Sequence, residues 1–121
     1  LHTDWILKGL TNCNSCHIIY MITCPCGLKY IGMTCCQVKV RILEHMSTIR
    51  CKKNNTRLTS HFLSATHKVT DLSWVSLEQI STKTKDIERV LFEKEQYWVH
   101  RLGTCTNGLN DTIPFGAFYN K

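Results

Sequence analysis

At 121 residues, with 43% hydrophobic and 20% charged residues, the chain has the size and composition of one globular domain and excludes a disordered one. No run approaches the roughly 18 apolar residues of a membrane span, and the first residues lack the apolar stretch of a signal peptide, so neither a membrane partner nor secretion is expected. The net charge of +6 favours polyanions, nucleic acid foremost, although extra Lys and Arg also serve solubility alone.

Eight cysteines are many for this length. In a short secreted domain they would suggest four disulfides. Here Cys13, Cys16, Cys24, Cys26, Cys35 and Cys36 crowd one short segment, and Cys24-Pro25-Cys26 suits a metal better than a disulfide ladder. The reading is a reducing compartment, with some thiolates on zinc and the rest free. Because the chain begins at Leu1, it is expected to be a piece of something longer.

In chain order, residues 1–17 carry little periodicity and read as an extension, either a linker or part of a neighbouring domain. Their Cys13-x-x-Cys16 is half of a zinc site, a product of composition, or part of a neighbouring domain's metal site. Ile18–Thr23 is β-branched and aromatic and predicts a strand. Pro25 and Gly27 force a turn, and Leu28–Gly32 is the return strand. A hairpin folded about Pro25 sets Tyr20 across from Tyr30. Such a pair is either cross-strand packing or two hydroxyls that reach one cleft.

Thr34-Cys35-Cys36-Gln37 fits a capping box with Thr34 as N-cap. The helix after it has an apolar stripe of Val38, Ile42, Leu43, Met46 and Ile49. Arg41 and His45, four apart, share one side at the edge of that stripe. They are either an ordinary surface pair or a guanidinium and an imidazole that share a phosphate. The segment 50–57 is a basic loop, either simply solvated or a contact for backbone phosphates.

A short helix opens at Thr59, and His67 closes the segment. His61-x5-His67 is at the wide end of the zinc-finger spacing, and Cys24-x-Cys26 is tighter than usual. Together the four would give a tetrahedral zinc tying the hairpin turn to the second helix. Leu72–Glu78 alternates and predicts a third strand. Asp86–Leu102 predicts a long amphipathic helix with a stripe of Ile87, Leu91, Phe92, Trp98, Val99 and Leu102. Glu95 falls inside that stripe, where a carboxylate needs either an ion-pair partner or a metal. In the tail, Asn107-Gly108 signals a turn, and Asn110 is either a turn residue or folded back onto the site.

These residues, in this order, resemble the GIY-YIG nuclease superfamily: Tyr20 in a first strand, Tyr30-Ile31-Gly32 in the second, Arg41 and His45 on a helix, Glu95 on a late helix, then Asn110. The resemblance runs from Ile18 to Asn110 and is closest to the endonuclease domain of Penelope-like retroelements. One departure is that the first motif reads Ile18-Ile19-Tyr20 and lacks its glycine.

The resemblance implies an α+β fold, a small three-stranded antiparallel sheet flanked by helices, occupying residues 18–121. It implies structural zinc on Cys24, Cys26, His61 and His67, and catalysis by Tyr20, Tyr30, Arg41, His45, Glu95 and Asn110. Glu95 would hold Mg²⁺ or Mn²⁺, Arg41 the phosphate, and Tyr30, helped by His45 or Tyr20, the attacking water. The product would be a nick in DNA whose 3′-hydroxyl primes reverse transcription. Partners would then be DNA, RNA and a reverse transcriptase domain of the same polyprotein, and the location nuclear. Two alternatives stand beside it. One is a non-catalytic zinc module that binds nucleic acid, with Cys13, Cys16, Cys24 and Cys26 as ligands. The other is a secreted disulfide domain.

Overall fold

The computed structural model describes residues 15–52, 56–65 and 67–111. Its centre is β1 (Ile18–Thr23), in which five of six residues are hydrophobic. Side chains alternate across a strand, so a segment apolar at nearly every position needs cover on both faces. The fold supplies it. β2 (Lys29–Thr34) and β3 (Ser73–Gln79) flank β1 on either side, both antiparallel. On one face Ile18, Tyr20 and Ile22 pack with residues of two helices, α1 (Val38–Arg50) and α2 (Arg57–Ser64). On the other, Ile19 and Ile31 pack with Leu91 of α3 (Ile87–Leu102). A single turn, α4 (Thr104–Asn107), follows α3. The architecture is therefore α+β, a three-stranded antiparallel sheet between helices, as the sequence predicts.

Several local expectations are corrected. The hairpin is centred on Cys26, not Pro25: Cys24 donates its N–H to Leu28 and accepts one from Gly27, which takes φ +96°. Moving the centre by one residue moves each partner by two. Tyr20 therefore faces Gly32, while Tyr30 faces Ile22. The two tyrosines stay on one face because the shift is even.

The capping box is absent. Thr34 ends β2 and accepts the Cys36 N–H at 3.0 Å, whereas the N-cap position of α1 is Gln37, with no side-chain cap. The carbonyl of Ser15 takes the first free N–H of α1, from Val38, at 3.0 Å. Leu43 is 52% exposed, outside the buried stripe, because it lies a full 100° around the helix from Ile42. The second helix starts earlier than expected, with Thr56 as N-cap accepting the Thr59 N–H at 3.2 Å. Arg57 is thus helical, and residues 53–55 of the basic segment lie outside the described residues. Leu102 is exposed at the end of α3, beyond the sheet. Cys13 and residues 112–121 also lie outside the described residues.

Candidate active site and metal centre

Three of the predicted catalytic residues, Tyr20, Tyr30 and His45, cluster on one face of the sheet, and Tyr30 shares a cleft with Glu95 and Asn110 that Tyr20, Arg41 and His45 do not line. Tyr20 and Tyr30 rise from the sheet on the α1 face. Their ring centroids are 6.4 Å apart. Helix α1 brings His45 over both rings, with centroids 5.8 Å from Tyr20 and 5.3 Å from Tyr30. The Tyr20 hydroxyl lies 2.7 Å from His45 Nε2. Gly32 makes this possible. A Cβ at that position would overlap the Tyr20 ring, so the partner of Tyr20 on β2 must be glycine. Arg41, one turn before His45, donates through Nη1 to Glu44 Oε1 at 3.0 Å in an exposed pair.

The electrostatics of this cluster are set by burial. Desolvation, and after it the charge of Arg41, depress His45 to about 4. His45 is therefore a neutral imidazole near neutral pH, and in the tautomer that leaves Nε2 unprotonated it accepts the Tyr20 O–H. Burial raises the Tyr20 and Tyr30 hydroxyls. Glu95 adds to the rise at both and Arg41 opposes it. Both phenols are protonated at neutral pH, so neither serves unaided as a base.

Glu95 reaches the edge of β2 from the opposite face of the sheet. The helical stripe suggested a buried carboxylate; instead it is half-buried, and Leu91 is the one fully buried residue of α3. The expected desolvation argument therefore falls. What distinguishes Glu95 is a cleft of about 510 Å³ beside Tyr30, lined by Tyr30, Glu95, Gln96, His100, Thr106 and Asp111 among others. Gln96 Nε2 donates weakly to Glu95 Oε1 at 3.4 Å. A carboxylate in an open polar cleft suits a hard cation, which takes oxygen ligands and keeps several waters.

Asn110 forms the cleft floor beside Tyr30. Its Oδ1 accepts the Ile31 N–H at 2.7 Å and its Nδ2 donates to the Ile31 carbonyl at 2.8 Å. The side-chain amide thus pairs with the free edge of β2 as another strand would. The Leu109 N–H adds a third bond, to the Lys29 carbonyl at 2.8 Å. Gly108 admits this approach, since a Cβ there would meet the Lys29 carbonyl at 2.7 Å. Asn110 is thus a brace for β2.

Cys24, Cys26, His61 and His67 converge where the hairpin turn meets α2, their ligand atoms within 4.8 Å of one another. His61 Nε2 lies 3.3 Å from Cys24 Sγ and 3.1 Å from Cys26 Sγ. His67 Nε2 is buried with no hydrogen-bond partner, an atom that a metal would satisfy. The exposed Cys26 thiol is depressed to about 6, chiefly by Cys24 and then by the Leu28 N–H, with both imidazoles helping. Two thiols and two imidazoles are a donor set for tetrahedral zinc, and this cluster can hold such an ion. Cys16 is elsewhere: all six residues of β1 separate it from Cys24, roughly 20 Å of strand. A site joining Cys16 to Cys24 and Cys26 is thereby contradicted. None of the seven described cysteines is in a disulfide.

Sequence reading missed Arg57. The sequence reads it as the end of a basic loop, either solvated or in contact with phosphates, but its guanidinium donates to the Cys105 carbonyl at 2.7 Å and its N–H to Asp111 Oδ1 at 3.1 Å, so it secures a wall of the cleft. The Thr56-x-x-Thr59 cap was the signal that Arg57 is helical. Comparison with known proteins finds no match: no family model, no curated protein and no solved structure.

Proposed function

We propose that this domain is a GIY-YIG-like, metal-dependent DNA endonuclease. The observation that carries the reading is the position of Tyr30. It packs against both partners of the Tyr20–His45 hydrogen bond and also lines the cleft that holds Glu95. A proton-accepting pair and a carboxylate able to hold a cation, both next to one tyrosine, suit an in-line displacement at phosphorus.

In this reading a phosphodiester lies over Tyr30, and Arg41 leaves Glu44 to take its non-bridging oxygens, where a planar fork of donors fits best. Tyr30 orients the attacking water. The water proton passes through the Tyr20 hydroxyl to His45 Nε2, the neutral acceptor. Pairing of Arg41 with phosphate removes one of the two causes of the low His45 basicity, so the acceptor strengthens when substrate arrives. The P–O3′ bond breaks opposite the new P–O bond, giving 3′-hydroxyl and 5′-phosphate ends. Mg²⁺ or Mn²⁺ on Glu95 would supply charge stabilisation for the leaving oxygen. The role that fits such a nick is priming of reverse transcription by a retroelement, with DNA as substrate, RNA and a reverse transcriptase domain as partners in one polyprotein, and the nucleus as the location. Zinc would be structural.

The test is nicking of supercoiled plasmid with Mg²⁺ or Mn²⁺. Glu95→Gln and Arg41→Ala should each reduce the rate by ~10²-fold or more, the scale at which single transition-state contacts count. A second reading, a zinc module that binds nucleic acid without cutting it, is favoured by the Cys24–Cys26–His61–His67 cluster together with the charge of +6. Tight DNA binding by the native chain with no cleavage under any divalent metal would establish it and overturn the nuclease.

A further inference from the structure

We infer that the cleft beyond Glu95 seats the nucleotide immediately 5′ of the cut and reads its base. This inference rests on the nuclease reading and deepens it. The scissile phosphate needs only the edge of β2, yet the cleft continues past Glu95 to Gln96, His100, Thr106 and Asp111. At about 510 Å³ it lies within the range of small-molecule sites, roughly 300–1,000 Å³. It is therefore larger than a hydrated cation requires.

Geometry decides which nucleotide enters. Tyr30 packs against Tyr20 and His45 and also lines the cleft, which neither Tyr20 nor His45 lines. The proton acceptor marks the side from which water attacks. In-line displacement then directs the leaving 3′-oxygen, and the sugar and base attached to it, toward the cleft. The nucleotide 5′ of the cut is the one that carries that oxygen.

The lining suits a base edge. Gln96 offers a half-buried amide whose Nε2 donates weakly to Glu95, leaving its carbonyl oxygen and a second N–H, and Thr106 an exposed hydroxyl that donates to the Gly103 carbonyl and can still accept. The Asp111 carboxylate accepts the Arg57 N–H and so is held in place, with acceptor capacity left for an exocyclic amine. The walls are also fixed. Asn110 is bonded to Ile31 on both backbone groups, and Arg57 grips Cys105. A base drawn from the stack into such a site is selected by hydrogen bonding within a fixed pocket.

The experiment is to sequence the nicks made in a plasmid library randomised around the cut, for the native domain, Gln96→Ala and Thr106→Ala. Native nicks should favour one base at the 5′ position, and each substitution should change that preference ratio at least threefold there while leaving the 3′ position as it was. Gln96→Glu, which keeps the shape of the side chain and removes the donor, should change which base is favoured. A native profile flat at the 5′ position, or one that the substitutions leave unaltered or alter only on the 3′ side, overturns the inference while the nuclease stands. A native domain that cuts no library member with Mg²⁺ or Mn²⁺ overturns both.

Discussion

The ring of Tyr20 lies over Gly32 on the neighbouring strand, so closely that no side chain fits between them. The glycine of the Tyr30-Ile31-Gly32 motif thus has a steric explanation: it clears the floor on which the Tyr20 hydroxyl reaches His45 at 2.7 Å. Gly32→Ala should push the ring off this position. The expected loss is about 1–3 kcal/mol of stability, the usual scale of overpacking, measured by urea denaturation. Nicking should fall by tenfold or more, because the hydrogen bond to His45 goes with the ring.

The brace at Asn110 gives a sharper comparison. Asn110→Ala leaves the buried N–H and C=O of Ile31 without partners, at about 1–3 kcal/mol for each group left unpaired. Asn110→Asp keeps the acceptor and loses the donor, and it sets a carboxylate against the Ile31 carbonyl. Both should lower the denaturation midpoint, with Asp no better than Ala despite its closer shape. An Asp variant as stable as the native chain would show that the Nδ2 bond contributes nothing.

Removal of zinc should destabilise the turn and α2 before the rest. The cluster joins Cys24 and Cys26 to His61 and His67 across more than thirty residues, so the ion closes a long loop. Metal analysis should find one zinc per chain, lost in Cys24→Ser and in His67→Ala. A chelator should lower the melting temperature of the native chain and leave that of the variants nearly unchanged.

The buried imidazole predicts a pH dependence of stability. His45 binds a proton near 6.5 in the unfolded chain and only near 4 in the folded one. Between those values the unfolded state binds more protons, so stability falls as pH falls from about 6.5 toward 4. The expected loss is on the order of 3 kcal/mol once pH is below both values. A His45→Gln variant, which can still accept from Tyr20, should show a flatter stability profile across that window. An unchanged slope would mean that another group is responsible.

Much of this was readable in the chain, for physical reasons that differ by element. β1 could be read because β-branched and aromatic residues fill it, and α1 because Val38, Ile42 and Ile49 recur at helical spacing and are buried as that spacing requires. The cluster of Cys24, Cys26, His61 and His67, able to hold a metal, could be read from chemistry, since few other roles bring two thiols and two imidazoles to such spacings. Register could not. Pro25 and Gly27 announce a turn without fixing its centre, and one residue of difference moves Tyr20 from Tyr30 to Gly32. The surroundings of Glu95 could not either. Periodicity places it on an apolar stripe, but α3 overhangs the edge of β2 there, and a cleft replaces the core. The bonds of Asn110 to Ile31 span 79 residues, beyond the reach of any local pattern.

Helix α2 is only eight residues long, yet it touches both halves of the molecule that matter. His61 stands among the zinc ligands, and Arg57, one turn earlier, grips the Cys105 carbonyl on the cleft wall. A cell short of zinc would slacken that rod at one end and shift the wall at the other. If the proposed cutting is right, it would then fade while most of the fold persisted, and trace-metal supply would act as a throttle on it.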